Sequence, residues 1–419
     1  MKFFVTIIAV LALLTSCKKN EDDKGTHIIT PGRRTIIAYM AGENNLSSYV
    51  QDDINEMIIG SMTMPDDCRL LIFVDRSSKN EKPFIARLNG KNDVPVDTLY
   101  KYPQDFYSSD AGNFREVLER CIALCPAQEY GLILWGHANG WVIEKEHESY
   151  TGNRAYGLDN GKNTGELTTQ YWMNIPSMAK ALKDIGVKWK CIFSDCSNMQ
   201  GVEVAYELKD VADYFIASPA EISGEGAPYS KIIVDLCKAD DQEMYKSACD
   251  DYNAQKTIFN GSVDEHLPIS VIKTDKLDIL LNATRNILPQ VNEYTQSHGT
   301  LDGLIYYYSY NKSSIYNRVM FDMNDVVLAA LEEQDSLYNV WKDAFDQAVV
   351  YKKNSTYWHT NSIYISDFII FSTTENARRQ GVVSMFFPLS HYTRAHYNFN
   401  TLIKQMKWYQ AVGWSEVGW

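Results

Sequence analysis

Two segments run an apolar stretch straight into groups able to do nucleophilic chemistry: Leu132–Trp141 (LILWGHANGW) delivers His137, and Cys191–Leu208 (CIFSDCSNMQGVEVAYEL) delivers Cys196 and Ser197. A thiol or hydroxyl attacks well when a nearby imidazole takes its proton and backbone N–H groups hold the oxyanion that forms. Of eight histidines, His137 alone lies between a strong apolar strand and a glycine-containing turn, Ala138-Asn139-Gly140. In the second segment a strand closes at Phe193, Asp195-Cys196-Ser197-Asn198 turns, and Val202, Ala205 and Leu208 mark the inner face of a helix over Gly201–Val211. N–H groups at such a helix start favour a thiolate and an oxyanion alike. Reactive groups in an open α/β sheet gather at the carboxyl ends of its strands, so His137 and the Asp195–Ser197 tip are expected in one cleft.

The elements that must hold them follow from hydrophobic periodicity. Strands are expected at Thr35–Met40, Leu70–Val74, Gly131–Trp135, Cys191–Phe193, Tyr214–Ala217 and, far downstream, Gly381–Phe387. Between the early strands lie helical patterns: Ser47–Ile59 with Val50, Ile54 and Met57 on one face, Asn113–Cys125 with Phe114, Val117, Leu118 and Cys121, and Ile175–Ile185 with Met178, Ala181 and Leu182. Alternation of strand and helix implies an α/β fold with a mostly parallel sheet covered on both faces. Val142–Glu166 interrupts the alternation as a polar loop bearing Lys145, Arg154 and Lys162, and loops of such length usually serve function. From about Ser230 to Val350 the chain reads as mainly helical, near Asp275–Leu288, Met323–Glu333 and Leu337–Val350. The end, with Trp408, Tyr409, Trp414 and Trp419, reads as aromatic core and cap packing.

With 45% hydrophobic and 12% aromatic residues in 419, the chain can bury a large core and is not disordered. A net charge of −13 argues against a nucleic-acid partner and favours cationic ones. Lys2, the apolar run Phe3–Leu14 and the Leu14-Thr15-Ser16-Cys17 ending read as a lipoprotein export signal, residues 1–17, with Cys17 the lipid-bearing residue. That run, about twelve residues, falls short of the roughly twenty needed to span a bilayer. Residues 18–33, with Glu21, Asp22 and Asp23, read as a flexible tether, so the expected address is the outer membrane or cell surface, with the lipid as membrane contact. Beyond the tether we expect an α/β catalytic core over 34–230 and a mainly helical region plus C-terminal strand and cap over 231–419. Of eight cysteines, those after Cys17 are odd in number, and the helical and strand settings of Cys121, Cys125 and Cys191 point to buried thiols rather than a disulfide framework. There is no GxSxG elbow, HExxH helix or GxxxxGK[ST] loop, and no nucleotide cofactor is implied.

The His-bearing and Cys-bearing strand ends together resemble the clostripain family of cysteine peptidases, relatives of caspases and gingipains, in which an apolar strand runs into His-Gly and a later one into Asp-Ala-Cys. Tyr39–Met57 (YMAGENNLSSYVQDDINEM) is similar to the family's opening strand, Asn-Asn-Leu turn and helix, and Val202–Tyr229 to its region after the nucleophile; GVVSMFFP and the tryptophan-rich end fit its carboxyl terminus. The resemblance implies a caspase-like fold with a helical insertion, a C-terminal strand returning to the sheet, and endopeptidase action after Arg or Lys. Matching MQGVEVAYEL without gaps puts Ser197 in the nucleophile slot and Asp195 on the family's aspartate; making Cys196 the nucleophile needs a one-residue insertion. With Ser197 there, weak or absent activity is implied, and a non-catalytic homologue that binds basic peptides is the alternative. Ala138 replaces the family's usual glycine, its N–H falling at the oxyanion hole. The resemblance further implies Asp195 and Glu225 as the acidic base of the primary pocket, Arg154 or Lys145 as a self-processing site, and no required cofactor, with calcium allowed though no EF-hand spacing occurs. A glycan-capturing lipoprotein, prompted by 27 tyrosines and 9 tryptophans, is disfavoured by the alternating strand–helix order.

Overall fold

The computed structural model of the chain describes residues 31–78, 80–142, 155–161, 170–259, 262–265, 267–310, 314–332, 335–360, 363–365, 377–393 and 398–419. The export signal with Cys17, the tether as far as Thr30, and the loop residues Lys145 and Arg154 lie outside the described residues.

The first half contains β1 (Gly32–Gly42), α1 (Val50–Ser61), β2 (Cys68–Arg76), β3 (Phe84–Leu88), β4 (Val96–Lys101), α2 (Ala111–Leu124), β5 (Ala127–Trp135), β6 (Tyr156–Asp159), β7 (Tyr171–Met173), α3 (Ile175–Ile185), β8 (Trp189–Asp195), α4 (Val202–Glu207) and β9 (Ala212–Ala217). The second contains α5 (Tyr229–Leu236), α6 (Asp241–Asn253), β10 (Lys256–Phe259), β11 (Ser262–Glu265), β12 (Ile269–Lys273), α7 (Leu277–His298), β13 (Tyr306–Ser309), β14 (Arg318–Asp322), α8 (Met323–Ala330), α9 (Asp335–Ala348), β15 (Val349–Lys353), β16 (Trp358–Thr360), β17 (Ile363–Ile365) and β18 (Ser384–Met385).

A nine-stranded sheet in the order β15-β12-β9-β8-β5-β1-β2-β3-β4 forms the centre. Its inner five strands are parallel, with Ala38 opposite Ile133, Ile133 opposite Phe193 and Phe193 opposite Ile216. Continuous apolar strands are what a sheet covered on both faces requires. Alternate residues of β1 serve the two layers. Ile36, Ala38 and Met40 join one core cluster with Val50, Ile54 and Met57 of α1 and Ile232 and Ile233 of α5. Tyr39, pointing the other way, meets Phe114 of α2 edge-on, ring centroids 4.7 Å apart.

The two antiparallel extensions have different origins. β3 and β4 come from the chain between β2 and α2, whereas β12 and β15 come from the region beyond residue 231 and lengthen the sheet at β9. Because that edge is taken, the C-terminal strand does not return to the central sheet as expected. β18 pairs with β14 in a separate three-stranded sheet, and touches the turn after β8 through the Gly201–Ser384 bridge and the Ser384 N–H on Gln200 O at 2.8 Å. The helix expected over Gly201–Val211 is likewise shorter, ending at Glu207.

All seven cysteines among the described residues are free and buried. Among the same residues no helix is long and apolar enough to cross a membrane. The chain goes from β1 outward to β2 and then back to β5 on the other flank of β1, so the strand order reverses at the β1/β5 junction, where clefts form at the carboxyl ends. His137 leaves β5 beside the Asn44–Leu46 turn leaving β1.

Candidate active site

Two glycines shape the turn after β5. Gly136 has φ +141°, and a Cβ there would lie 2.9 Å from Ala41 O; Gly140 has φ +59°, and a Cβ there would lie 2.5 Å from Asn198 O. Between them, Gly157 N–H donates to His137 O at 2.7 Å and Asn139 N–H to Ala155 O at 2.9 Å. These bonds frame the Ala138–Tyr156 bridge, and neither uses the Ala138 N–H. His137 is half-buried, with Nε2 2.7 Å from Asn45 Oδ1. An amide oxygen only accepts, so Nε2 carries the proton of the neutral imidazole and the basic lone pair is on Nδ1.

The turn after β8 is locked to this loop. Asn198 adopts φ 61°, its N–H donates to Ala220 O at 2.9 Å, and its Nδ2 donates to Asn139 Oδ1 at 3.0 Å. Within the turn the adjacent candidates part company. Ser197 is half-buried and its Oγ accepts from the Ile222 N–H at 3.0 Å. Cys196 is 1% exposed, and its thiol donates to Leu134 O of β5 at 3.2 Å. Burial, reinforced by the Asp195 charge, holds the Cys196 pKa well above the usual thiol range. A small cavity of about 40 Å³ joins the two turns, with Leu46, Trp135, His137, Cys196, Ser197 and Ile222 among the residues lining it.

Asp195 forms part of the cavity wall from below. Its Oδ2 accepts from the Tyr229 hydroxyl at 2.7 Å and the Ala227 N–H at 2.9 Å, while Oδ1 has no hydrogen-bond partner among the described residues. Burial raises its pKa to about 6, the two donors pulling the other way. A second carboxylate stands close: Asp53 of α1, whose Oδ2 accepts from Trp135 Nε1 at 2.6 Å. Burial, then the Asp195 charge, pushes Asp53 up to about 9, so at neutral pH this pair carries its charge on Asp195. Glu225 is exposed; the cavity wall passes through Gly224 and Gly226 on either side of it. Gly226 has φ +64°, and a Cβ would come within 2.6 Å of Asp195 Oδ2. Gly226→Ala is therefore expected to cost about 2 kcal/mol or more, combining left-handed strain with that clash. Urea unfolding of the two proteins checks it, and Gly186→Ala, at φ +79° with nothing within 4 Å of the added Cβ, separates left-handed strain from the clash.

The structure thus brings His137, Ala138, Asp195, Cys196 and Ser197 to one edge of the sheet, with the Cys196 thiol turned into the interior and Glu225 on the rim. Sequence reading did not single out Asn45, Asp53 or Trp135 as site residues. The Asn-Asn-Leu turn after β1 was the signal for Asn45, because β1 and β5 end side by side. Nothing in the local sequence of α1 marks Asp53, whose role depends on where the helix packs.

The family model of the Clostripain family matches residues 38–419. Clostripain of Hathewaya histolytica is 24% identical over 313 residues, covering 68% of this chain and 55% of its own length, so the chain spans little more than half of that relative. A secreted C11 cysteine protease from Bacteroides thetaiotaomicron, solved with an irreversible peptide inhibitor, aligns at TM-score 0.72 and 24% identity over 92% of this chain and all of its own. An inactive zymogen C11 protease from Parabacteroides distasonis aligns at TM-score 0.70 and 23% identity over 92% of this chain and 99% of its own. At these identities the two structures speak for the fold.

Proposed function

The chain belongs to the clostripain family of cysteine peptidases, and from that premise we propose that its cleft is an endopeptidase site for peptides with Arg or Lys before the scissile bond, with Ser197 in the nucleophile position. The observation that carries this reading is the divergence of neighbours: Ser197 Oγ is held at the cleft wall by Ile222 N–H, while the Cys196 thiol is spent on Leu134 O. His137, with its lone pair on Nδ1, is the general base, and Asn45 is a positioning residue that fixes its tautomer. The Ala138 N–H is the oxyanion donor, with the Ala138 methyl narrowing the approach relative to glycine. Asp195 receives the substrate's guanidinium or ammonium group through the oxygen not engaged by Tyr229 and Ala227, and Glu225 meets it from the rim.

Such a site turns over slowly. A thiol near a histidine ionises at neutral pH, whereas a serine hydroxyl must lose its proton during attack. A second reading follows from the same geometry: the cleft holds basic peptides without cleaving them. Export through the 1–17 signal, lipid attachment at Cys17, display at the cell surface on the 18–33 tether, and a maturation cut after Arg154 or Lys145 belong to this proposal.

A lysine-ended peptide ketone that alkylates active-site thiols tests the reading. The native parent chain is expected to stay unlabelled, as is a Cys196→Ala variant. Labelling of the parent that disappears in Cys196→Ala would make Cys196 the nucleophile and overturn the assignment. Fluorescence anisotropy with an arginine-ended peptide separates the second reading, with binding expected to weaken about tenfold or more in Asp195→Asn as a charge-assisted contact is lost.

A further inference from the structure

Two of the buried thiols meet each other at the opposite edge of the sheet from the cleft. Cys68 opens β2, and Cys237 follows the last residue of α5. They are 1% and 0% exposed, and their side chains share a hydrogen bond in which the Cys237 thiol donates to the Cys68 sulfur. Cys68 Sγ also lies 3.7 Å from Cys237 O. Arg33, near the start of β1, spans both residues: its Nη2 donates to Cys68 Sγ at 3.1 Å and to Cys237 O at 2.7 Å, while its Nε donates to Asp67 Oδ2 at 2.9 Å. Arg34 fixes the same helix end, Nη1 donating to Leu236 O at 2.7 Å and to Lys238 O at 2.9 Å. Carbonyls that a helix end leaves without partners are thus pinned beside the first residue of β2 by two arginines.

The pair is unequal. The bond from Cys237 and the charge of Arg33 hold Cys68 below the usual thiol range, against burial and Asp67, whose Oδ1 is 3.5 Å from the sulfur. The same bond, then burial, hold Cys237 well above it. Burial raises Cys121, Cys125, Cys191, Cys196 and Cys249, so Cys68 alone among the described cysteines has the cationic setting of a nucleophilic thiol. A cavity of about 270 Å³ lined by Cys68, Met64, Arg87 and Lys91, with the exposed Asp66 among its walls, gives a reactant a way to this residue.

We propose that Cys68 and Cys237, free thiols in this structure, are a redox pair that closes into a disulfide by exchange with an external disulfide, stapling the end of α5 to the start of β2. The Cys68 thiolate attacks one sulfur of the external disulfide and expels the other as a thiolate, leaving a mixed disulfide on Cys68. Cys237, giving up its proton, then attacks the Cys68 sulfur and expels the second external thiolate. The external disulfide is reduced to two thiols, which take up the two protons, and the pair is oxidised. Sulfurs already in hydrogen-bonding contact close to about 2 Å in the product. An exported chain meets such oxidants, whereas a cytosolic one is kept reduced, and the exchange itself is independent of the peptidase reading. The loop closed is about 170 residues long, so the crosslink strongly restricts the unfolded chain. It also anchors the far end of the helix whose first residue, Tyr229, donates to Asp195.

Incubation of the folded chain with bis(2-hydroxyethyl) disulfide, trapping with N-ethylmaleimide in denaturant and peptide mapping without reductant test the proposal. The peptides holding Cys68 and Cys237 are expected to be joined by a bond that reductant opens, with two maleimide-reactive thiols lost. The thermal midpoint should rise by about 3 °C or more over the reduced chain. Cys68→Ala and Cys237→Ala, each alone, should abolish the link and the shift, either one serving if the other does not fold, whereas Cys121→Ala should keep both. Recovery of Cys68 and Cys237 as maleimide adducts, a mixed disulfide that stays on Cys68, a link to another cysteine, or a linked pair with an unchanged midpoint would each overturn the assignment.

Discussion

Ser197→Cys is expected to raise hydrolysis of fluorogenic Arg- and Lys-ended peptides by at least about a thousandfold over the parent chain. Replacing or removing a nucleophile in comparable hydrolases costs up to about six orders of magnitude in turnover, and a gain of about half that in the exponent is what a recovered thiol should deliver into a site already organised for it. Apart from the Ile222 N–H, which donates to the substituted oxygen itself, the organisation does not depend on that atom. Ile222 N–H points at the side chain of residue 197, Asn139 and Asn198 clamp the two turns together, and Asn45 holds the imidazole. A thiol there would lie in the wall that Ser197 shares with His137 and Cys196, whereas the Cys196 thiol itself donates to Leu134 O of β5. His137→Ala in the Ser197→Cys background should remove the gain, and Cys196→Ala should leave it intact at some cost in stability. Kinetic assays on the four proteins read the result directly. A Ser197→Cys chain as silent as its parent would mean that the cleft lacks more than a nucleophile, and would favour the peptide-binding reading.

Much of this arrangement was legible in the sequence because it is carried by local signals. Apolar strands ending in a glycine turn placed His137, and the strand–turn–helix order placed Asp195 to Asn198 at the sheet's edge, where both stand in the structure. The α3 boundaries fall at Ile175 and Ile185 as the periodicity predicts, and α1 and α2 within a few residues of theirs. What could not be read depends on packing between distant elements. Adjacent residues at a strand end face different surroundings, so choosing between Cys196 and Ser197 required knowing that Leu134 O lies beneath the turn. Asp53 looks like an ordinary polar position on an amphipathic helix until α1 is laid over β5 and Trp135 reaches it. The run at Gly381–Phe387 has the composition of a sheet strand, but β12 and β15 occupy the only edge beyond β9, and its pairing went to β14 instead.

Asp53 also sets an expected pH dependence with a large effect. In the unfolded chain its carboxyl ionises near 3.8, whereas in the fold burial and Asp195 hold the proton until about pH 9. The folded state therefore binds the proton more tightly, and the stability this provides is fully present below the unfolded value and is lost as pH rises through the folded one. Asp195, raised to about 6, adds a loss confined to the lower part of that window, while Glu203, raised to about 7, and Asp75, held well above the usual carboxylate range, add losses that do not involve Asp53. One unbalanced proton corresponds to at most about 1.4 kcal/mol per pH unit. Asp53→Asn keeps an oxygen to accept from Trp135 Nε1 and removes this one titration, so its unfolding free energy should fall less steeply than the parent's over this range and exceed it by a margin that widens toward pH 9. Because Asp53 is neutral at pH 7 and Asp195 carries the charge, the same substitution should leave affinity for arginine-ended peptides nearly unchanged, where Asp195→Asn weakens it. Urea midpoints at pH 6, 7, 8 and 9 for the two proteins decide the matter. Parallel curves would place the titrating proton elsewhere in the chain, and a loss of peptide affinity in Asp53→Asn would make the buried pair, rather than Asp195 alone, the seat of basic-residue recognition.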